Sequence, residues 1–285
     1  MKVGILGSGG REHAISKSLS KSKKVKKIYC IPGNAGTSSI AHNVSLNLKD
    51  FALIKKFIFK EKIDLVVIGP EQPLVDGIVD FLEKNNIKVF GPNKFSSKLE
   101  GSKIFTKKIC QKYNIPTARF GVFKTEKESF KFLDNSVFPI VIKADNLAAG
   151  KGVYICKNKI DSKKAVKEIF AGKFGEAKNV LIEEFLNGEE MSYFIISDGK
   201  TTKNFGTAQD HKRVLEGDKG KNTGGMGAYS PSRLISKKLD VKIQNKIIKP
   251  TLKAIKENGY EYKGFLYAGL MIVKNEPYLI EYNVR

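Results

Sequence analysis

The segment KADNLAAGKGV, from Lys143 to Val153, joins a lysine to a loop of glycines and small residues, a combination suited to binding phosphate. Lys143 ends the apolar run FPIVIKA, so its ammonium group is predicted to stand at the end of a strand. The loop differs from the Walker A pattern G-x-x-x-x-G-K-[ST], because Asp145 replaces the first glycine and Gly152 replaces the hydroxyl residue. We expect its amides to fold over a triphosphate, and a β-hairpin with a glycine turn is the structural alternative.

An acidic segment follows about forty residues later. LIEEFLNGEE places carboxylates at the end of another predicted strand. Glu183 or Glu184 would meet an adenine amino group at a hinge, and Glu190 would accept hydrogen bonds from ribose hydroxyls. A solvated acidic strand end explains the same residues without a function.

The last segment, YLIEYNVR, alternates between two faces of a predicted strand. One face carries Leu279, Glu281, Asn283 and Arg285. The other carries Ile280, Tyr282 and Val284, and we predict that this second face packs on the core. An acid and an amide oxygen two residues apart are hard ligands suited to Mg²⁺. An exposed strand face is the alternative.

The amino-terminal GILGSGGREH resembles part of a dinucleotide fingerprint. Gly7 and Gly9 fit the pattern, but the third glycine falls at Glu12, and the second strand ends in IPGNAGT without an acidic residue for a ribose. We therefore expect an anion rather than a dinucleotide at the helix amino terminus. Two further loops reach the same predicted sheet edge and suit a phosphorylated sugar. One contains Gly33, Asn34, Gly36 and Thr37, and the other contains Glu71. For each loop, an ordinary tight turn is the alternative.

These residues need strands and helices to position them. Over residues 1–100, short apolar runs such as KVGIL and DLVVIG alternate with helical patterns such as REHAISKSLSKS, which predicts a doubly wound parallel sheet. From about residue 101 the pattern becomes α+β. It includes a hairpin over 191–206 with a turn at Asp198 and Gly199, a polar loop over 207–231, a helix over 236–258 and two closing strands.

Composition restricts the class of protein. The chain has 285 residues, and 51 Lys+Arg against 29 Asp+Glu give a formal net charge of +22. Such a charge is compatible with nucleic-acid binding, but the lysines are spread over nearly every predicted helix, which favours solvated faces and small anionic substrates. The apolar runs are too short for a membrane span. Cys30, Cys110 and Cys156 are scattered and predict reduced, partly buried thiols of a cytoplasmic protein.

Taken together, the motifs resemble the phosphoribosylamine–glycine ligase family of ATP-grasp enzymes in purine biosynthesis. The resemblance covers the whole chain, in family order: GGREH, PGNAGT, LEGSKIFTK, IPTA, LAAGKGV, IEEFLNGEE, QDHKR, NTGGMGAYSP and GFLYAGLM. It implies a Rossmann-like parallel-sheet domain over residues 1–100 and an ATP-grasp domain over 101–285. The glycine-containing loop would be a flap on a small subdomain of about 120–189.

The resemblance also implies substrates and site residues. ATP, glycine and 5-phosphoribosylamine would give ADP, phosphate and glycinamide ribonucleotide through a glycyl phosphate, with Mg²⁺ or Mn²⁺ at Glu281 and Asn283. Lys143, Asp210 and Arg285 would be catalytic. The implied ATP-binding residues are Lys103, Lys143, Ala148, Ala149, Gly150, Lys151, Gly152, Glu183, Glu184, Leu186 and Glu190. The implied substrate-binding residues are Gly9, Gly10, Arg11, Gly33, Asn34, Gly36, Thr37, Glu71, Asp210, Lys212, Thr223, Gly224, Gly225, Met226 and Gly227.

Two departures from the family pattern bear on these expectations. The family has glycine where Asn146 stands, and because asparagine tolerates positive φ we expect little loss. The family also continues beyond Arg285 into a carboxyl-terminal domain, which we expect to lie outside this chain. We expect a monomer, with a dimer as the alternative. Another ATP-grasp carboxylate–amine ligase, and a basic nucleic-acid-binding protein with a Rossmann-like domain, are the competing interpretations.

Overall fold

The computed structural model describes residues 1–145, 152–175, 177–211, 213–216, 219–223 and 225–285. The predicted amino-terminal parallel sheet is confirmed, with strand order β3-β2-β1-β4-β5 and parallel pairing throughout. Its strands are β1 (Lys2–Gly7), β2 (Lys27–Pro32), β3 (His42–Asn43), β4 (Leu65–Ile68) and β5 (Val89–Phe90). The helices between them are α1 (Gly10–Ser20), α2 (Phe51–Glu61), α3 (Glu71–Asp76) and α4 (Ile78–Lys84).

One predicted helix of this domain is divided in two. The segment LVDGIVDFLEKN, residues 74–85, has apolar residues at helical spacing and predicts a single helix. Gly77, however, has φ +97° and separates α3 from α4. A left-handed backbone conformation ends a helix, and glycine adopts it without the steric penalty of a side chain. The break leaves α3 as a short helix that begins at Glu71.

Two further helices lead out of the parallel sheet. They are α5 (Lys94–Gly101) and α6 (Lys103–Lys112), and Asn93 and Ser102 cap their amino termini through side-chain oxygens. Helix α5 packs against both α3 and the last strand of the chain. The domain boundary near residue 100 therefore coincides with a helix that is packed on both sides, and its exact position stays a prediction.

A small antiparallel sheet follows, with strand order β6-β9-β7-β8. Its elements are β6 (Phe120–Phe123), α7 (Glu126–Asp134), β7 (Ile140–Ala144), β8 (Val153–Cys156), α8 (Lys159–Phe170) and β9 (Val180–Glu184). The sheet has its own core, in which Ile142 and Ile182 pack against Val166 and Ile169 of α8.

The second antiparallel sheet is larger and has the order β14-β11-β10-β15-β16. Its strands are β10 (Glu189–Asp198), β11 (Thr202–Asp210), β14 (Ala228–Tyr229), β15 (Lys263–Val273) and β16 (Glu276–Val284). Between β11 and β14 the chain forms a separate antiparallel pair, β12 (Arg213–Leu215) and β13 (Lys219–Asn222). The predicted hairpin over 191–206 is confirmed. The predicted loop over 207–231 is wrong in part, because polar residues without an apolar alternation form these short strands through backbone pairing.

The predicted helix over 236–258 forms with an irregular centre. It consists of α9 (Lys237–Ile243), a π-helical segment (Gln244–Ile248) and α10 (Lys249–Glu257). Pro250 has no backbone N–H to donate within the helix, and the wider π-helical turn ends two residues before it, at Ile248.

The face assignment of the last strand needs a correction. Gly269 pairs with Glu281 while the next residue, Leu270, pairs with Leu279, so Ile280 is an extra residue in β16. This bulge reverses the alternation, so Leu279 is buried on the core side instead of sharing a face with Glu281. Ile280, predicted on the core face, is only half-buried and lines both cavities of the candidate site. Period-two counting cannot detect a bulge, because the pattern of residue types around it is unchanged.

The parallel sheet and the larger antiparallel sheet share one hydrophobic core. Ile78 of α4, Leu99 of α5 and Leu266 of β15 belong to the same buried cluster, whereas Ile142 belongs to the core of the small sheet. A third cluster within the described residues, which includes Val3 and Ile5, packs on the parallel sheet alone. The predicted domain bounds stay a prediction.

We expect Ile78→Ala to lower the free energy of unfolding by about 2–5 kcal/mol through a core cavity. Because the core is shared, the variant should speed amide hydrogen exchange in β1 and in β15 alike, as measured by mass spectrometry. The matched control is Ile142→Ala, which should speed exchange chiefly in β7 and β9. Faster exchange confined to the parallel sheet in Ile78→Ala would contradict the shared core.

Candidate active site

Two adjoining cavities lie between the small sheet and the larger antiparallel sheet. The larger cavity has a volume of about 430 Å³, and the smaller one about 170 Å³. Both are lined by Val153, Glu183, Leu279 and Ile280, so these residues form the wall between them. This arrangement offers one continuous binding region with two chemically different ends.

The larger cavity has apolar walls suited to a flat aromatic base. Val141 and Ile155 come from the small sheet, while Met271 and Leu279 come from the larger one. Leu186, predicted to bind ATP, lines the same cavity just after β9. A ring inserted between these side chains would remove apolar surface from water on both of its faces.

A buried ionic cluster lies beside this cavity. Lys143 of β7 is 2.9 Å from one carboxylate oxygen of Glu183, and Lys107 of α6 is 3.2 Å from the other. Lys107 also donates a 2.6 Å hydrogen bond to the hydroxyl of Thr117. The three ionic side chains are almost completely excluded from solvent, so the two ammonium groups and the carboxylate depend on one another for charge compensation.

The electrostatic effects in this cluster have clear directions. Burial alone would raise the pKa of Glu183, but the ammonium groups of Lys143 and Lys107 outweigh it and hold that pKa below its usual value. Burial lowers the pKa of Lys107, and Glu183 opposes the change only in part. Burial likewise lowers the pKa of Lys103 at the start of α6, opposed in part by Glu281. The carboxylate therefore stays ionised.

The predicted adenine hinge is only partly as expected. Both candidate carboxylates are engaged, because Glu184 binds the side chain of Arg119 at 2.7 Å and Glu183 binds the two lysines. Among the described residues, the Glu183 oxygen nearer Lys107 makes no hydrogen bond, but it is buried and ion-paired with that ammonium group, so it is not open to an adenine amino group. Glu190 of β10 is exposed and lines the larger cavity.

Strand β7, which precedes the predicted flap, is connected to α6. Asp145 accepts hydrogen bonds from the Ser102 hydroxyl and the Ile104 amide, both at 3.1 Å, so it caps the amino terminus of α6. Lys103 lies in this first turn and lines the smaller cavity. The cap thus holds Lys103 and Lys143 in neighbouring positions.

The smaller cavity contains the predicted metal ligands. Glu281 and Asn283 of β16 both line it, and their pairing with Gly269 and Tyr267 places them on one strand face. No cluster of three or more His, Cys, Asp or Glu residues that could hold a metal occurs in the described part of the chain. One carboxylate and one amide oxygen fit Mg²⁺ or Mn²⁺ brought in with nucleotide phosphates, since Mg²⁺ in such sites is bound through few protein oxygens.

Arg285 connects this strand to the amino-terminal domain. Its guanidinium binds Glu71 of α3 at 2.9 Å and Glu100 of α5 at 2.5 Å. Burial raises the pKa of Glu100, an effect that Arg285 opposes. The buried Nε of Arg285 has no hydrogen-bond partner within the described residues. The predicted substrate ligand Glu71 is thereby placed at the same cavity as the predicted metal ligands.

The first amino-terminal loop is organised by Glu12. This buried carboxylate accepts hydrogen bonds from the Gly9 amide at 2.6 Å and from the Arg11 side chain at 2.9 Å. A Cβ atom on Gly69 would lie 2.1 Å from the Glu12 carboxylate, and one on Gly7 would lie 2.7 Å from it, so both glycines make room for it. An anion at the Gly9 amide would be repelled by the negative charge of the Glu12 carboxylate. Gly10 and Arg11 are thus the better placed parts of the motif for a phosphate.

The second loop is a closed hydrogen-bonded turn. Asn34 and Thr37 bond to each other through backbone and side-chain atoms, with distances of 2.8–2.9 Å. Gly33 has φ +77°, and a Cβ on Gly36 would lie 2.7 Å from the His13 ring. These residues shape the loop at the carboxyl edge of the parallel sheet, and the groups that they leave for a ligand are chiefly backbone atoms.

One of the predicted substrate-binding residues, Asp210, reaches the larger cavity. Asp210 at the end of β11 is exposed and lines that cavity. In the 223–227 segment, the Gly225 amide donates to the Thr223 hydroxyl and the Met226 amide donates to the His211 carbonyl. Gly227 accepts from the His211 amide. Two of the predicted amide donors are therefore already paired.

Several predicted residues fall outside the described part of the chain: Ala148, Ala149, Gly150, Lys151, Lys212 and Gly224. Gly152, by contrast, is described, and it lines the smaller cavity. The ATP- and substrate-binding assignments for all of these residues stay predictions.

Sequence reasoning missed three residues of this region. Lys107 and Thr117 belong to the ionic cluster, and Glu100 is the second partner of Arg285. They occur within the quoted motifs LEGSKIFTK and IPTA. The sequence does contain one indication of the cluster. Lys107 lies between Ile104 and Cys110 at an apolar helix position, and a buried lysine requires a carboxylate partner.

A parallel-sheet domain followed by two antiparallel sheets that enclose a lysine-lined cavity defines the ATP-grasp class of ATP-dependent ligases. Residues 1–100 match the family "Phosphoribosylglycinamide synthetase, N domain", and residues 101–285 match "Phosphoribosylglycinamide synthetase, ATP-grasp (A) domain". The chain belongs to the phosphoribosylglycinamide synthetase family. The resemblance read from the motifs is thereby confirmed.

Individual relatives agree with this assignment. The chain is 49% identical to the phosphoribosylamine–glycine ligase of Mesorhizobium japonicum, over 100% of this chain and 67% of that protein. The corresponding protein of Caldanaerobacter subterraneus is 47% identical, with 69% of it covered. The crystal structure of the Thermotoga maritima ligase superposes with a TM-score of 0.86 at 37% identity, over 100% of this chain and 69% of that one. The chain thus spans about two-thirds of the length of these relatives.

We expect Lys143→Met to weaken binding of Mg·ATP by about 10- to 100-fold, since it removes a charged partner of a phosphate group. Isothermal titration calorimetry on this chain measures the change, and thermal unfolding reports whether the variant is folded. Lys163→Met is the control, because Lys163 pairs with Asp134 on the surface of the small subdomain. Equal affinity for Mg·ATP in the wild type and in a folded Lys143→Met variant would remove Lys143 from the site.

Proposed function

We propose that this chain binds ATP, glycine and 5-phosphoribosylamine and carries out the ligation that gives glycinamide ribonucleotide, ADP and phosphate. The observation that carries the proposal is the pair of adjoining cavities. One end has apolar walls for adenine, and the other holds Lys103, Glu281, Asn283 and Arg285 beside Glu71 of the amino-terminal domain. A nucleotide bound across the shared wall would point its phosphates towards the amino-terminal loops.

The chemistry requires activation of a carboxylate. An amine does not displace oxide from a carboxylate at neutral pH, so one glycine oxygen must first become part of a better leaving group. In the proposed reaction a glycine carboxylate oxygen attacks the γ-phosphorus, and ADP leaves. The amine of 5-phosphoribosylamine then attacks the glycyl carbonyl carbon, and phosphate leaves as the amide bond forms.

The residues of the chain would act mainly by position and charge. Lys143 and Lys103 would neutralise the nucleotide phosphates, and Arg285 would hold the transferring phosphate or the glycine carboxylate through its planar guanidinium. Asp210 would pair with the glycine ammonium, so that the carboxylate faces the phosphorus. A divalent ion bound by Glu281 and Asn283 would supply further charge neutralisation at the phosphates. We propose Mg²⁺ or Mn²⁺, which both accept oxygen ligands.

The amino-terminal loops would bind the phosphorylated sugar. Gly10 and Arg11 open α1, Gly33 to Thr37 shape the second loop, and Glu71 lies at the start of α3, all at the carboxyl edge of the parallel sheet. Glu71 would accept a hydrogen bond from a sugar hydroxyl or from the amine. Its ion pair with Arg285 would connect this substrate to the phosphate-transfer region.

We place the reaction in the cytoplasm, because all three cysteines are buried and free and need no oxidising compartment. No helix within the described residues is long and apolar enough to cross a membrane. A monomeric state and the lack of nucleic-acid binding stay predictions from the sequence.

We expect glycine labelled with oxygen-18 in its carboxylate to deliver one labelled oxygen to the released phosphate, as measured by mass spectrometry. Because the chain spans about two-thirds of its relatives, the assay uses the chain fused to the part of the Mesorhizobium japonicum protein that it does not cover. Unlabelled phosphate alongside product formation would rule out the glycyl phosphate. ADP release with a different acid and amine, but not with these substrates, would favour another ligase of the same class.

We expect Asp210→Asn, in the same extended chain, to raise the KM for glycine by about 10- to 100-fold through loss of a charged partner. The affinity for Mg·ATP should stay near the wild-type value, since Asp210 is not placed at the phosphates. Asp134→Asn is the matched control, because Asp134 lies on the surface and lines neither cavity. An unchanged KM for glycine would assign the ammonium group to another partner.

A further inference from the structure

Lys107 is the buried lysine of the ionic cluster to which the proposed chemistry gives no task. It lies in the middle of α6, has only 3% of its side chain exposed, and lines the smaller cavity. Its ammonium group is held by the Thr117 hydroxyl at 2.6 Å and by the Ala118 carbonyl at 3.4 Å. A lysine fixed in this way lacks the freedom to follow a substrate, so its influence must pass through the group that it touches, Glu183.

Glu183 is shared between two cations. One of its oxygens is 2.9 Å from Lys143 and the other is 3.2 Å from Lys107. With two ammonium groups and one carboxylate, the cluster keeps one net positive charge. If Lys107 were absent, Glu183 would neutralise Lys143 completely, and the cluster would offer no net charge to a phosphate.

The support of Lys107 extends to the strand that carries the predicted metal ligands. Thr117 donates a 2.7 Å hydrogen bond to the Leu279 carbonyl, and the Leu279 amide donates to the Pro116 carbonyl at 2.8 Å. Leu279 is two residues before Glu281 in β16. A continuous chain of contacts therefore runs from β16 through Thr117 and Lys107 to Glu183 and Lys143.

We infer that Lys107 is a positioning residue for nucleotide binding: it shares the Glu183 carboxylate so that Lys143 stays available to the phosphates of ATP. The inference rests on the proposed function, in which Lys143 contacts those phosphates. The inference goes beyond that function because it makes the affinity for the ATP phosphates depend on Lys107, which contacts no substrate itself. The same contacts fix the distance between the small sheet and β16, so that Lys143 and Glu281 approach one nucleotide from opposite sides.

Calorimetric titration of this chain with Mg·ATP and, separately, with adenosine tests the inference. Lys107→Met, which keeps the length of the side chain, should weaken Mg·ATP binding by about 10- to 100-fold. Adenosine has no phosphate, so its affinity should change by no more than about twofold. The matched control is Lys108→Met, because Lys108 is the exposed neighbour on the same helix and should leave both affinities unchanged.

A second substitution separates charge sharing from support of the fold. Lys107→Met combined with Glu183→Gln leaves Lys143 without its neutralising partner and restores one net positive charge, so most of the Mg·ATP affinity should return. If Lys107→Met does not fold, Thr117→Val provides the test. It removes the hydroxyl that holds Lys107, and it should weaken Mg·ATP binding severalfold while sparing adenosine.

The outcomes distinguish this inference from the proposed function. Failure of the unchanged chain to bind Mg·ATP would overturn both. Binding that Lys143→Met weakens but Lys107→Met does not would overturn only the role of Lys107. Equal losses for ATP and adenosine, or a double variant as weak as Lys107→Met, would show that Lys107 supports the fold alone.

Discussion

The buried carboxylate of Glu183 is the constraint around which the binding region is organised. A phosphate site needs cations, but a lysine removed from water is unstable without a negative partner. Glu183 provides that partner for Lys143 of the small sheet and for Lys107 of α6 at once. It therefore supplies charge compensation and joins two structural units whose hydrophobic cores are separate.

Apolar packing determines where this carboxylate lies. The small sheet is stabilised by its own core, while α6 belongs to the core shared by the parallel sheet and the larger antiparallel sheet. The binding region lies along the boundary between these cores, where polar groups can be buried without interrupting either one. Arg285 performs a similar task at the other end, because its ion pairs with Glu71 and Glu100 connect β16 to two helices of the amino-terminal region.

In the first amino-terminal loop, the side chain of Glu12 changes what the glycine motif of a dinucleotide site can bind. In a dinucleotide fold the glycines of this loop bring backbone amides close to a pyrophosphate. Here the Glu12 carboxylate fills the space that Gly7, Gly9 and Gly69 leave, and it accepts the Gly9 amide itself. The loop thereby differs from that of a dinucleotide site, and Arg11 is its partly exposed cation. This physical arrangement agrees with membership of the phosphoribosylglycinamide synthetase family.

The sequence by itself determined the order of the elements, the parallel sheet, the hairpin over 191–206 and the family, because these depend on local periodicity and on motifs that can be read residue by residue. Lys143, Glu281 and Arg285 could be selected in the same way, from their places at the ends of apolar runs. Only the tertiary structure decided which charges meet. The pairing of Lys107 with Glu183 and of Glu100 with Arg285 joins residues 76 and 185 positions apart in the chain, and the bulge at Ile280 depends on the register between β15 and β16. Such contacts are set by how separate elements pack in space, and a local pattern of residue types carries no information about that packing.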